Sequence, residues 1–332
     1  MNKAKLIHIY AAAIVLLIIS ALLGIILGAS GIGLPEFASS LMNGNFDTPD
    51  SRIFIYVRLP RVAASIICGA ALAVSGAVIQ GVLANRLASP GIIGVNAGAG
   101  LAVTLCSAFG IVGGWNLSSA AFIGAFVAVM IVSFAAKKWG ASRGTVILIG
   151  VAMNSLLGAV SDTVITFIPE VSIMSNDFRI GDFSSVTYAK LIPASFLIIV
   201  SLFVLFTLSN ELDVLTLGDE TAQGLGVNTN SMRVIFLMLA ACLSGSAVSL
   251  CGLLSFVGLL VPHAVRRTTD CNSVHLLPLC ALFGAGFVTL SDTISRTVFA
   301  PYEIPVGIIM SFLGSPFFIL ILLKGKGGHG RD

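Results

Sequence analysis

The sequence predicts an all-α fold: a polytopic membrane protein with ten transmembrane helices, forming one unit over residues 1–332. Three observations predict it. Charged residues make up 10% of the chain and hydrophobic ones 57%, with a mean hydropathy of +1.03. A soluble chain carries about a quarter charged residues, so this one has too little polar surface to stay in solution. Apolar runs close to the ~20 residues that cross a bilayer recur along the whole chain. Lysines and arginines in the short connections fall mainly on one side. The net charge of +3 and the lack of a basic tract give no sign of a nucleic-acid partner.

The runs are 7–29, 62–84, 92–112, 118–136, 144–168, 191–209, 231–250, 253–268, 274–295 and 304–323. The first follows Lys3 and Lys5. It is long for a signal-peptide core and ends in a poor cleavage site, so it is read as a retained span. The uncharged stretch 234–265 is too long for one helix and short for two. Gly252, Gly258 and Pro262 interrupt it, which suggests a full helix and a shorter, broken return. That split also satisfies the positive-inside rule. It puts Lys3, Lys5, Arg86, Lys137, Lys138, Arg143, Arg233, Arg266, Arg267, Lys324, Lys326 and Arg331 on one side. Only Arg52, Arg58, Arg61, Arg179, Lys190 and Arg296 remain on the other. The richer side is read as the cytoplasm, with both termini inside.

Where lipid gives no hydrophobic drive, small residues let helices meet. Gly94-x-x-x-Gly98 and Gly110-x-x-x-Gly114 are candidates for such contacts. Ser75-Gly76-Ala-Val and Ser244-Gly245-Ser-Ala-Val each precede a broken, proline-containing stretch, a faint hint of an internal repeat. The six cysteines show no metal-ligand spacing and read as small buried residues.

Polar residues collect in a few places. Segment 211–230 is the longest polar island of the second half. Leu212, Leu215 and Leu217 give it an apolar edge, Asp219 and Glu220 suit a helix N-terminus, and Gly224 and Gly226 suit a helix end. Two readings stand: a short amphipathic helix that fits a soluble partner, or a plain solvated loop. Outer loops 30–56 and 169–190 exceed simple turns, and the second suits a short surface helix. Arg58-Leu-Pro-Arg61 and Arg296 place three guanidiniums at one side. They offer forks for carboxylates of a docking protein, or they snorkel to lipid headgroups. Asp162 and Asp292 lie within apolar spans, where a carboxylate is a functional candidate by default. Asp292 stands four residues before Arg296 and suits a salt bridge. Asp162 has Asn154, Ser155 and Thr166 near it on one span, lining a polar pathway or bonding between helices. No phosphate-cradling Gly-x4-Gly-Lys-Ser/Thr run, catalytic triad or metal-ligand group occurs, so no enzyme active site and no bound cofactor is expected.

Leu217-Gly218-Asp219-Glu220-x-Ala222-x-x-Leu225-Gly226-Val227 resembles the coupling loop of permease subunits in the ABC importer family for iron-siderophores, haem and vitamin B12. The similarity extends over nearly the whole chain. It includes Arg58-Leu-Pro-Arg61, the run Gly69 to Gln80, and Asn85-x-Leu87-Ala88-Ser89-Pro90-Gly91-x-x-Gly94-Val95. It continues through Gly258 to Pro262-His263-x-x-Arg266, and from Asp292 through Glu303-x-Pro305 to Pro316-Phe317. The resemblance implies a bundle like the vitamin B12 importer permease, working with a second permease copy or paralogue in the bacterial cytoplasmic membrane. It implies ATP-binding cassette ATPase subunits that use the ATP and dock at Leu215, Leu217, Gly218, Asp219, Glu220, Ala222, Leu225 and Gly226. It implies that Arg58, Arg61 and Arg296 receive an extracytoplasmic substrate-binding protein. Asn85, Leu87, Ser89 and Pro90 would form a cytoplasmic gate, and the fifth and tenth helices would line the pathway or the interface. Segment 178–185 departs from the family, with Phe178 and Gly181-Asp182 where relatives often carry Trp and Gly-Ser, which bears on the substrate. The rival reading is a secondary transporter that uses Asp162 or Asp292 as an ion site. A passive channel is weaker, since no filter sequence is visible.

Overall fold

A computed structural model describes residues 3–28, 48–111, 113–140, 142–269 and 271–325. The expected outer loop 30–56 therefore lies largely outside the described residues. The described elements are α1 (Lys3–Ile26), α2 (Pro49–Ile53), a π-helical turn (Phe54–Arg58), α3 (Leu59–Val82), α4 (Val95–Ala108), α5 (Gly114–Lys138) and α6 (Arg143–Phe167). They continue as α7 (Glu170–Ile180), α8 (Tyr188–Thr207), α9 (Ser209–Thr216), α10 (Asp219–Gly224), α11 (Thr229–Cys251), α12 (Val257–Thr268), α13 (Ser273–Thr297) and α14 (Val306–Gly325). Among the described residues, seven helices are long and apolar enough to cross a membrane, and α4 and α14 are shorter apolar ones. With α12 they make the ten-helix bundle the sequence predicts. The break at 252–256 falls where the glycines placed it.

The second span begins earlier than expected. Pro60 has no N–H to give, and the Leu59 N–H bonds the Phe54 carbonyl five residues back. The helix therefore widens into a π turn instead of ending, and it runs back to Pro49. Capping sets other starts: the Ser142 hydroxyl accepts from the Thr145 N–H, and the Asn228 side chain accepts from the Ser231 N–H.

Helix α3 is the axis of the fold, packing against α11, α12 and α13. It is buried on nearly every side, and so is most of α11. Small residues make this possible. A Cβ on Gly69 would strike the Gly284 carbonyl, and one on Gly76 would strike Gly258. The Ser75 hydroxyl donates to the Ala240 carbonyl at 2.9 Å, joining the two Ser-Gly stretches noted in the sequence. One glycine expectation needs correction. Gly98 meets Gly124 of α5, whereas Gly110 and Gly114 sit in a positive-φ turn with open space around them. Spacing alone does not distinguish a packing glycine from a turn glycine. Cys68, Cys251 and Cys280 are buried.

Overpacking should therefore depend on position. Gly76→Ala is expected to destabilise the fold by about 1–3 kcal/mol, whereas Gly100→Ala, with open space at its Cβ, should be neutral or gain up to about 1 kcal/mol. Thermal unfolding in detergent, followed by size-exclusion fluorescence, reads both.

Candidate functional site

Two polar assemblies sit at opposite ends of α3. Its 24 residues rise about 36 Å at 1.5 Å each. Gly81, near the C-terminal end, touches the Leu212 side chain. Arg61, near the N-terminal end, carries the other assembly.

The first assembly is an elbow of two short helices, α9 and α10, where one amphipathic helix was expected. Gly218 at φ +113° makes the bend, and Gly226 at φ +83° ends the unit. Leu212, Leu215 and Ala222 are buried against the chain's own helices. The Leu215 and Ala222 side chains thus hold the elbow on. Asp219, its side chain 41% exposed, is gripped by arginines of the chain's own helices. Its carboxylate accepts from Arg143 Nη2 at 2.9 Å and from Arg233 Nη2 at 2.9 and 3.0 Å. Arg143 also donates to the Leu215 carbonyl at 2.7 Å. Partial burial pushes the Asp219 carboxyl up, but the two guanidiniums outweigh it and hold its pKa below the ordinary 3.8. Asp213 ties the elbow to α13, accepting from the Ser273 N–H at 3.0 Å and its hydroxyl at 2.6 Å. The outward-facing residues include Leu217, 61% exposed, Leu225, 62% exposed, and Glu220. Arg143 and Arg233 were read in the sequence only as side-setting charges. Arg143 lies 76 residues from Asp219, too far for any local pattern to reveal the clamp.

The second assembly is a buried ion network. Asp292, fully buried, accepts from Arg61 Nε at 3.0 Å, while Arg61 Nη2 at 3.0 Å and Arg296 Nε at 3.3 Å stand in ion-pair contact with it. Arg61 Nη1 donates to Glu303 at 2.7 Å, and Asp182 stands 3.6 Å from Nη2. Arg296 donates to the Gly24 carbonyl at 2.6 Å. Arg58 donates to the Ile25 and Ile26 carbonyls at 3.1 and 3.0 Å and lies over the Phe54 ring at 4.5 Å. The three arginines are 2–4% exposed. They are thus placed as internal staples, where the sequence suggested outward-facing forks. The i, i+4 pair of Asp292 with Arg296 forms as its spacing implied. Glu303 and Asp182 were not singled out as site residues, and neither lies near Arg61 in sequence.

Between the assemblies lies the loop after α3. The Asn85 carbonyl side-chain oxygen accepts from the Leu87 N–H at 2.9 Å, Pro90 is buried, and Leu87 is exposed. Ser89 and Pro90 line a cavity of about 210 Å³ with Gly258, and Gln80 Nε2 donates to the Gly258 carbonyl at 3.2 Å. Asn154 pins this loop, donating to the Gly91 and Ile92 carbonyls at 2.8 and 3.2 Å. It is a strut, not an open pathway residue. Ser155, Asp162 and Thr166 lie on one exposed stripe of α6, the hydroxyls bonding their own helix at Val151 and Asp162. Asp162 is the one acidic residue in a long apolar helix that has no ion pair among the described residues.

A bundle of apolar helices with an arginine-clamped elbow at one end and a pinned loop behind it fits a multi-pass membrane permease of the ABC transporter class. More particularly, residues 16–324 match the FecCD transport family, and the chain belongs to it. The hemin transport system permease protein HmuU of Yersinia pestis is 34% identical over 321 residues, covering 94% of each chain. The uncharacterised ABC transporter permease YvrB of Bacillus subtilis is 35% identical over 341 residues, covering 97% of this chain and 96% of its own. A metal-chelate type ABC transporter solved in an inward-facing conformation superposes with a TM-score of 0.81 at 27% identity, covering 96% of this chain and 99% of that one.

Two outcomes follow from this geometry. Asp292→Asn leaves two buried arginines short of charge and should cost about 3–5 kcal/mol, as broken buried pairs do; Glu303→Gln, at a 36% exposed position, should cost far less. Folded yield after solubilisation compares them. The carboxylate of Asp219 has a lowered folded pKa, so its contribution is present above the ordinary 3.8 and is lost only as pH falls through the lower, folded value. Amide protection factors across 213–226, taken relative to the intrinsic exchange rate at each pH, are therefore expected to stay flat from neutral pH down to about 5, and to fall in Asp219→Asn.

Proposed function

We propose that this chain is the membrane-spanning half of an importer that carries an iron-siderophore or similar metal chelate across a bacterial cytoplasmic membrane. The elbow supports this reading best. Its Asp219 clamp fixes it to α6 and α11, and its exposed leucines present an apolar edge that a partner helix groove can bury. A separate ATP-binding cassette ATPase docks there, hydrolyses ATP and moves the elbow as a rigid body. Such a partner shifts the permease only by holding the elbow differently in two states. Both termini then lie in the cytoplasm. A second copy or paralogue covers the polar stripe of α6, and the pathway runs between the two along α6 and α14. An extracytoplasmic binding protein delivers cargo at the Arg61 end, engaging Arg58, Arg61 and Arg296 by exchanging with their internal partners. The relatives' names support the cargo class, since they include hemin, Fe(3+)-citrate, iron(3+)-hydroxamate and vitamin B12 permeases.

The test is Leu217→Asp with Leu225→Asp. Co-purification of the ATPase should weaken on the order of thirtyfold, as for loss of an apolar hot spot, with ATP-driven uptake lost and the bundle still folded. Full uptake by vesicles that hold this chain and no ATPase would overturn the reading.

A further inference from the structure

A cavity of about 580 Å³ opens on the Arg61 side of the bundle, within the range of small-ligand sites, ~300–1,000 Å³. Three walls meet there: the end of α7, the corner between α11 and α12, and the first half of α14. Their backbones are tied together. The Leu253 N–H donates to the Phe178 carbonyl at 2.9 Å, the Asp182 N–H to the Cys251 carbonyl at 2.9 Å, and the Gly307 N–H to the Gly181 carbonyl at 3.1 Å. A Cβ at Gly307 would land on the Ile180 carbonyl, so only glycine permits this closeness. The walls are therefore preorganised.

The polar lining is one-sided. Arg179, Ser255, Ser311 and Ser315 line the cavity, and no acidic residue does. Arg179 makes no ion pair or hydrogen bond among the described residues, although Asp177 and Asp182 flank it in sequence. Asp182 is instead committed to Arg61 and to the Ser184 N–H. An arginine fork with hydroxyls around it, on a fixed floor, matches an oxyanion. The geometry points to this cavity as a subsite for an anionic, carboxylate-bearing metal chelate, with Arg179 supplying the counter-charge and the serines hydrogen bonds. The assignment rests on the metal-chelate reading above and deepens it. It selects charged oxygen-rich cargo over neutral cargo. It also gives a role to segment 178–185, where the sequence departs from its relatives.

The test is equilibrium dialysis of ferric citrate and of an uncharged ferric trihydroxamate against the permease–ATPase complex in nanodiscs. Purely zwitterionic lipid removes an anionic headgroup as a competing occupant, and omitting the binding protein removes its own selectivity. Wild type should hold ferric citrate roughly tenfold or more tighter than the neutral chelate, the scale of one charge-assisted hydrogen bond. Arg179→Gln should abolish that preference by weakening ferric citrate alone, Arg179→Lys should keep part of it, and basal ATP hydrolysis should stay unchanged in both. Equal ferric citrate binding by wild type and Arg179→Gln, or preference of wild type for the trihydroxamate, overturns the anion assignment and leaves the importer reading standing. Failure of wild type to hold either chelate strikes the metal-chelate reading itself and removes this assignment with it.

Discussion

The structure depends on backbone contact between α3 and its neighbours. In a bilayer, apolar side chains gain little by leaving lipid for protein, so association must come from close packing and polar bonds. Gly69 against Gly284 and Gly76 against Gly258 bring main chains together with no side chain between them. The Ser75 hydroxyl and the Gln80 amide then bond carbonyls across the contact. A helix held this tightly is a rigid rod, and both polar assemblies are mounted on its ends.

Charge is treated the same way at each end. Arginines are buried beside carboxylates, although Arg61 Nη2 and Arg296 Nε lack a hydrogen-bond acceptor. At one end Asp292 is shared by Arg61 and Arg296, with Glu303 and Asp182 completing the shell. At the other, Asp219 is shared by Arg143 and Arg233. Removing one partner of such a set costs more than the set contributes, so each network fixes geometry more than it adds stability. The elbow network joins α6, α10 and α11. The elbow is thereby bonded to the helix bearing Asp162 and, through Asn154 of that helix, to the loop at Gly91 and Ile92.

The Arg61 end is linked to the cavity by the same logic. Asp182 touches Arg61 with its side chain and Cys251 with its backbone. Whatever engages the ion network therefore bears directly on the segment that carries Arg179. The ion network and the cavity are therefore one continuous piece of structure.

The sequence by itself determined the class of fold, the ten spans and the break at 252–256. Those rest on composition, run length and loop charge, which are local sums. It also located the elbow and paired Asp292 with Arg296, because both are readable within a helical turn or two. It left Asn154 open between a pathway and a bond to another segment, and it saw Arg58, Arg61 and Arg296 as displayed, because hydropathy does not tell which face of a helix meets protein. The partners Arg143, Arg233, Glu303 and Asp182 come from distant segments. Only the tertiary structure decided them, since a buried charge is satisfied by whatever lies beside it in space. The same holds for the cavity around Arg179, whose three walls are joined by backbone bonds that leave no signature in residue type except the glycines at their crossing.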